Sequence, residues 1–360
     1  MKDRLSNLGI TEKVVKEASL YKDLILGRVV GQYKDLYKVA TKNGETMAEI
    51  SGKLRYSSGA LPDYPAVGDF VMLDREDGFS GNAIIQAILQ RKSLFARRAA
   101  GTAQEIQVVA ANIDTVFICM SLNNDFNLRR LERYLAITWD SGAIPVVVLT
   151  KSDLCLDLQT RLSEAESIVA GVDLIVTTSM SEDGYKAITQ YIRTGQTVAF
   201  LGSSGVGKST LINRLLGEDF IKTKEIRKDD KGRHTTTNRE LILIPTGGAV
   251  IDTPGMRELG VESANLAKTF SDIDDLASTC RFDDCRHERE PGCAVRQAIQ
   301  EGLISEGRLA SYQKLKKEAK YEGLNAKQIE KEKLTTMFAG FGGMKNAKAY
   351  VKSKGFKQER

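Results

Sequence analysis

The sequence predicts an α/β fold: a small β-barrel, then a parallel sheet covered by helices, then a charged helical region. Three observations carry that expectation. Short alternating apolar segments punctuated by Gly, Asn and Asp fill residues 24–111, as strands joined by tight turns do. From Asn112 the pattern changes to near-continuous apolar runs separated by longer helical stretches, as in a parallel sheet buried on both faces. Beyond about Gly260, three cysteines and a histidine crowd into one charged segment.

The 360 residues are 42% apolar and 28% charged, which is ordinary for a globular chain and sufficient for two or three domains. No segment offers the roughly 18 consecutive apolar residues that a membrane span needs. A cytoplasmic protein with no membrane partner, and a monomer, is expected. The net charge of +5 is uneven. From Lys314 to Arg360 there are 13 Lys and Arg against 5 Asp and Glu, a surplus of eight that leaves the rest of the chain at about −3. Such a tail suits a polyanion such as RNA, whose phosphates release counterions when neutralised, and suits a solvated helix equally well.

In chain order, residues 1–21 form an extension with no assignment. The segments "LILGRVVGQY", "LYKVAT", "MAEISG", "DFVMLD" and "NAIIQAIL" predict a small antiparallel, OB-fold-like β-barrel over 22–111. Barrels of this size bind nucleic acid or simply support a neighbouring domain. Over 112–262 the runs "DTVFICMS", "IPVVVLT", "LIVTTS", "TVAFLG" and "GAVIDTPG" alternate with helical stretches such as "LRRLERYLAITWDSG", an α/β domain of nucleotide-binding type. A helical domain with the Cys/His cluster follows over 263–312, and a basic tail over 313–360.

The α/β segment carries the most specific motif. Gly202, Ser203, Ser204, Gly205, Val206, Gly207, Lys208 and Ser209 fit G-x-x-x-x-G-K-[ST] at every fixed position, with the strand "TVAFL" before and the helical stretch "STLINRLLG" after, and Thr210 joins them as a nucleotide-binding candidate. Glycines let the backbone turn tightly and bring its N–H groups to phosphate oxygens, where a helix N-terminus adds partial positive charge. Lys208 would reach the β- and γ-phosphates and the Ser209 hydroxyl would bind Mg²⁺.

Upstream, Thr150-Lys151-Ser152-Asp153 closes a buried strand. A carboxylate there can accept two hydrogen bonds from guanine while a lysine stem packs on the base face. Thr178 and Ser179 follow the next strand as further nucleotide-binding candidates. Downstream, "VIDTPG" resembles the GTPase segment in which an Asp, here Asp252, holds Mg²⁺ through water and a glycine N–H, here Gly255, senses the γ-phosphate. Between them, "KGRHTTTN" is positioned as a first switch, with Thr236 the leading Mg²⁺ ligand and Thr235 or Thr237 close behind. The base motif thus precedes the phosphate loop, a circular permutation of the usual GTPase order.

Cys280, Cys285, His287 and Cys293 offer three thiolates and an imidazole within 14 residues, a complete tetrahedral set for a structural zinc ion. Idle thiols are the plain alternative. Cys119 reads as a small core residue and Cys155 has no functional reading.

Together the leading barrel, the permuted motifs with "GRHTTT" and "DTPG", and the Cys/His cluster resemble the RsgA (YjeQ) family of small-ribosomal-subunit-dependent GTPases over nearly the whole chain. The resemblance implies GTP hydrolysis stimulated by the 30S subunit, a role in late 30S maturation, and contact with 16S rRNA. The base motif begins with Thr rather than Asn. Met256 stands where many GTPases have the glutamine that orients the attacking water, so slow intrinsic turnover is expected. His234 is the favoured catalytic replacement, with an RNA-contacting or plain surface histidine as the alternative. The runner-up function is a nucleotide-gated rRNA-binding module with incidental turnover; a permuted GTPase of the large subunit is a third.

Overall fold

The structure, a computed structural model, describes residues 4–33, 36–57, 64–76, 81–98, 106–169, 171–178, 180–217, 239–252, 269–320 and 346. It opens with two short helices, α1 (Arg4–Asn7) and α2 (Glu12–Ala18). The Thr11 hydroxyl caps α2 by accepting from the Val14 N–H at 3.4 Å.

Five strands then close a barrel: β1 (Ile25–Gln32), β2 (Tyr37–Thr41), β3 (Glu45–Ile50), β4 (Phe70–Leu73) and β5 (Ala83–Ile88), with helix α3 (Gly52–Ser57) after β3. They are joined in the order β1-β2-β3-β5-β4 and back to β1, the arrangement of an OB-type barrel. Each of the five alternating segments in the sequence is one strand. The barrel is not wholly antiparallel, because β3 and β5 pair in parallel, Ala48 opposite Ala83. A parallel pair needs a crossover connection, and the chain between β3 and β5 supplies it through α3 and β4. Period-2 side chains such as Val29, Val39, Val71, Leu73 and Ile85 fill the interior. On the outer surface of β4, Phe70 and Met72 pack with Val14 and Ala18 of α2.

Strands β6 (Leu94–Arg98) and β7 (Ile106–Ala111) form a separate antiparallel pair. The α/β part follows: β8 (Thr115–Ser121), α4 (Leu128–Ser141), β9 (Ile144–Thr150), α5 (Leu158–Glu166), β10 (Asp173–Val176), α6 (Asp183–Thr189), β11 (Thr197–Leu201), α7 (Lys208–Leu216), β12 (Arg239–Leu243) and β13 (Ala249–Asp252). Local chemistry sets the helix ends. Asn127 caps α4 by accepting from the Arg130 N–H at 3.0 Å, and Gly142 closes the helix in the left-handed region. Asp157 caps α5 through the Thr160 N–H at 3.1 Å.

The sheet order is β10-β9-β8-β11-β13-β12, with β12 alone antiparallel, and β12 pairs in turn with β1 of the barrel. Barrel and α/β sheet are therefore one continuous 11-stranded sheet. Successive residues of β8 serve opposite cores. Val116, Ile118 and Met120 face a core with Leu131 and Leu135 of α4, while Phe117 and Cys119 face one with Ile188 of α6 and Ile212 of α7. Burial on both faces is why the strands read as unbroken apolar runs.

Arg28 of β1 is buried at the junction of barrel and sheet. It donates to the Leu8 carbonyl at 2.6 Å, the Thr197 hydroxyl at 2.8 Å and the Gly68 and Asn112 carbonyls at 3.2 and 3.3 Å. Burial lowers its pKa to about 10.

The C-terminal part contributes α8 (Ser271–Ala277), α9 (Ala294–Gln300) and α10 (Glu306–Lys320). It docks on the α4 side of the sheet, with Val295, Ile304 and Leu309 sharing a core with Leu131 and Leu135. Arg308 reaches across this interface. It binds Asp272 through two hydrogen bonds of 2.7 and 2.8 Å, Glu132 of α4 at 3.1 Å and the Thr269 carbonyl at 2.9 Å. None of the described helices is long and apolar enough to cross a membrane.

Candidate nucleotide site and metal centre

Because β8, β9, β10, β11 and β13 are parallel, their C-terminal ends share one edge of the sheet, the usual position of ligand sites in such folds. Thr150 ends β9, Leu201 ends β11 and Asp252 ends β13. Motifs about 100 residues apart in sequence are thereby brought to one crevice.

The turn from β11 into α7 has three glycines at positive φ: Gly202 at 149°, Gly205 at 78° and Gly207 at 102°. A side chain at Gly202 would place its Cβ 2.4 Å from the Cys119 carbonyl oxygen, so only glycine lets the loop leave the sheet there. Lys208, the first residue of α7, is buried, and its Nζ donates to the Gly202 and Ser203 carbonyls at 2.6 Å each. The loop thus holds an ammonium inside a turn that leads into the N-terminus of a helix, an arrangement suited to phosphate.

Strand β9, separated from β11 by β8, is fastened to this loop. The Thr150 hydroxyl donates to the Val206 carbonyl at 2.6 Å. Lys151 then adopts a left-handed conformation at φ 58° and caps a single turn, Ser152–Leu154, that presents Asp153 to solvent. A non-glycine residue in that region costs energy and recurs at binding sites. The Thr178 hydroxyl donates to Asp153 and accepts from the Met180 N–H at 3.1 Å. One carboxylate oxygen of Asp153 is thereby oriented. A cavity of about 120 Å³ lies between these elements, lined by Thr150, Lys151, Thr178, Gly207, Thr210 and Arg214.

The expected residues Thr150, Lys151, Asp153 and Thr178, the loop from Gly202 to Thr210, and Asp252 thus meet at one edge. Ser179, His234, Thr235, Thr236, Thr237, Gly255 and Met256 lie outside the described residues. Sequence reading passes over Arg214, which lies beyond the motif on α7 and carries no signature of its own. Cys119 is a core residue, its thiol pushed up to about 12 by burial.

The second cluster stands apart, in the C-terminal part. Cys280, Cys285, His287 and Cys293 present ligand atoms that all lie within 4.8 Å of one another. Cys280 Sγ is 3.9 Å from Cys293 Sγ, and His287 Nδ1 is 3.7 Å from Cys280 Sγ and 3.5 Å from Cys293 Sγ. Tetrahedral thiolate ligands on a metal at about 2.3 Å stand about 3.8 Å apart, and the Cys280, His287 and Cys293 separations of 3.5–3.9 Å match that spacing. Burial, followed by Lys316, holds His287 below the usual imidazole range, which favours the neutral, ligating form. Burial opposes the Cys280 thiolate, yet the Val295 and Ala294 N–H groups at the start of α9, together with the Cys293 and Cys285 thiols, lower its pKa. Burial and the neighbouring Cys293 and Cys280 thiols push Cys285 up to about 11.

A parallel sheet with a phosphate loop at its centre and a base-reading motif earlier in the chain defines a circularly permuted P-loop GTPase. The RsgA GTPase family model matches residues 88–262. An RsgA protein of Lactiplantibacillus plantarum is 52% identical over 345 residues, 96% of this chain and 97% of its own. One from Oceanobacillus iheyensis is 46% identical over 301 residues, 82% and 86% of the two chains. Both are named small ribosomal subunit biogenesis GTPases. The chain belongs to the RsgA family and is a GTP hydrolase of that family. The crystal structure of YjeQ from Thermotoga maritima is similar, with a TM-score of 0.60 at 26% identity over 82% of this chain and 98% of that one. YloQ, described as a circularly permuted GTPase, shares the fold with a TM-score of 0.59 at 23% identity.

Proposed function

We propose that this chain hydrolyses GTP in the biogenesis of the small ribosomal subunit, binding the 30S subunit and its 16S rRNA, and that 30S binding stimulates turnover late in maturation. The carrying observation is the convergence of Lys208, Thr150 and Asp153 on one crevice, in a chain 52% identical to a small-subunit biogenesis GTPase. In this reading Lys208 exchanges its two loop carbonyls for β- and γ-phosphate oxygens, and the loop N–H groups from Gly205 to Thr210 bind the phosphates. Asp153 accepts from guanine while Lys151 packs on the base.

Ser209, Thr236 and Asp252 would hold Mg²⁺, which would supply neutralisation of the phosphate charge. Gly255 senses the γ-phosphate, and His234 orients the attacking water in place of the glutamine absent at Met256. The Cys280, Cys285, His287 and Cys293 set is assigned to one structural zinc ion, whose thiolate-rich donor set it suits. The units are taken as an extension 1–21, a barrel 22–111, a GTPase domain 112–262, a zinc-binding helical domain 263–312 and a basic tail 313–360, acting as a cytoplasmic monomer.

The test is the GTPase rate with purified 30S subunits, with 50S subunits and with neither, using ATP as control substrate. A large rise with 30S and GTP alone is expected. A flat response to 30S would overturn the enzyme-centred reading in favour of a nucleotide-gated rRNA-binding module. His234→Ala is expected to lose the stimulated rate; full retention would remove its catalytic role.

A further inference from the structure

One wall of the base-side cavity belongs to none of the nucleotide motifs. Arg214 lines it from α7, six residues beyond Lys208 on the same rigid helix. Its guanidinium forms an ion pair with Glu182 and donates to the Ser181 carbonyl at 3.4 Å. It also lies 5.0 Å from the centroid of the Tyr185 ring, and the Tyr185 hydroxyl donates back to the Arg214 carbonyl at 2.9 Å. Three different kinds of contact therefore run between α7 and the start of α6.

That start of α6 follows directly on Thr178, whose hydroxyl orients Asp153. The path runs from the phosphate loop along α7 through Arg214 to Glu182 and Ser181, along the backbone to Met180, whose N–H donates to the Thr178 hydroxyl, and on to Asp153. Glu182 is 57% and Arg214 28% exposed, and an ion pair so exposed contributes little to fold stability. Its geometric effect is larger, because the two ends it joins must address the phosphates and the base of one ligand at a fixed separation.

We propose that Arg214 is a positioning residue for guanine discrimination, holding the segment that carries Thr178 and Glu182 against the phosphate-loop helix so that Asp153 meets the base in register. The proposal rests on the nucleotide-site reading above. It gives a physical role to a residue outside the motifs and to its partner Glu182.

Binding of fluorescent GDP to the full chain, with competition by GDP, IDP and ADP, tests it. Guanine and hypoxanthine differ only by the exocyclic amino group that Asp153 would accept from, so the GDP-to-IDP ratio reads the register. Arg214→Ala is expected to weaken GDP about tenfold and IDP, which keeps only the ring N–H to lose, by distinctly less, about threefold. Arg214→Lys, which keeps the charge and loses the planar fork, should fall between. Glu182→Gln should move the ratio the same way, and adding it to Arg214→Ala should have no further effect. An unchanged ratio in Arg214→Ala, or equal losses for GDP and IDP, would overturn the proposal. If Arg214→Ala folds poorly, Glu182→Gln, on an exposed carboxylate, decides by the same ratio. A wild-type chain without preference for GDP over IDP and ADP would instead sink the nucleotide-site reading itself.

Discussion

The Thr150 hydroxyl donates a 2.6 Å hydrogen bond to the carbonyl of Val206, 56 residues further along the chain. This one bond fastens the end of β9 to the glycine-rich turn between β11 and α7. Thr150 is only 4% exposed, so its side chain acts on the loop.

Thr150→Val keeps the shape and removes the donor. The Val206 carbonyl then stays buried with a lost partner, at a cost of about 1–3 kcal/mol. Urea unfolding should show a lower midpoint, and GDP affinity should fall with it. Thr150→Ser should restore most of both; a Thr150→Val protein with wild-type midpoint and affinity would refute the staple.

Gly202 and Gly205 separate two reasons for glycine. Both have positive φ, but a Cβ at Gly202 meets the Cys119 carbonyl oxygen at 2.4 Å while one at Gly205 meets nothing within 4 Å. Gly205→Ala should cost about 1–2 kcal/mol of backbone strain. Gly202→Ala adds a clash of backbone on backbone and should cost distinctly more. Melting temperatures without nucleotide would expose an error if the two variants fell together.

Arg308→Met should be strongly destabilising, because Glu132 is fully buried and, among the described residues, keeps only Arg129 as a charged partner. Breaking a buried ion pair costs about 3–5 kcal/mol, and the remaining pair should reduce this to about 2–3 kcal/mol. Arg308→Met combined with Glu132→Leu should recover part of the loss. Equal stability of single and double variants would show that Glu132 is not left uncompensated.

Metal removal should act locally. Chelation, or Cys293→Ala, should release one zinc ion per chain and raise hydrogen exchange over about residues 280–300, since closed sites of this type supply folding energy. Strands β8 and β11, whose cores are built from Val116, Phe117, Ala199 and Phe200, should keep their protection. Loss of protection in β8 would mean that the metal supports the whole fold.

The glycine-rich loop after β11, the Thr150–Asp153 turn after β9 and the Cys/His cluster could be located in the sequence because each is local. Glycine conformations, strand ends and ligand spacing are written in residues close together along the chain. Class of fold followed from period and burial, which the strands express one residue at a time. The tertiary structure alone decided that β3 and β5 pair in parallel and that β12 joins β1 to make the barrel and the α/β sheet one surface.

It alone decided, too, the roles of the charged residues. Arg28, Arg214 and Arg308 read as ordinary cations in the sequence. Folding brings Arg214 to a carbonyl 33 residues away and Arg308 to a carboxylate 176 residues away. The physical reason is that an arginine is equally at home in water or against a buried partner. Nothing in its neighbourhood along the chain tells which, until the long-range closure of the sheet puts the partner within reach.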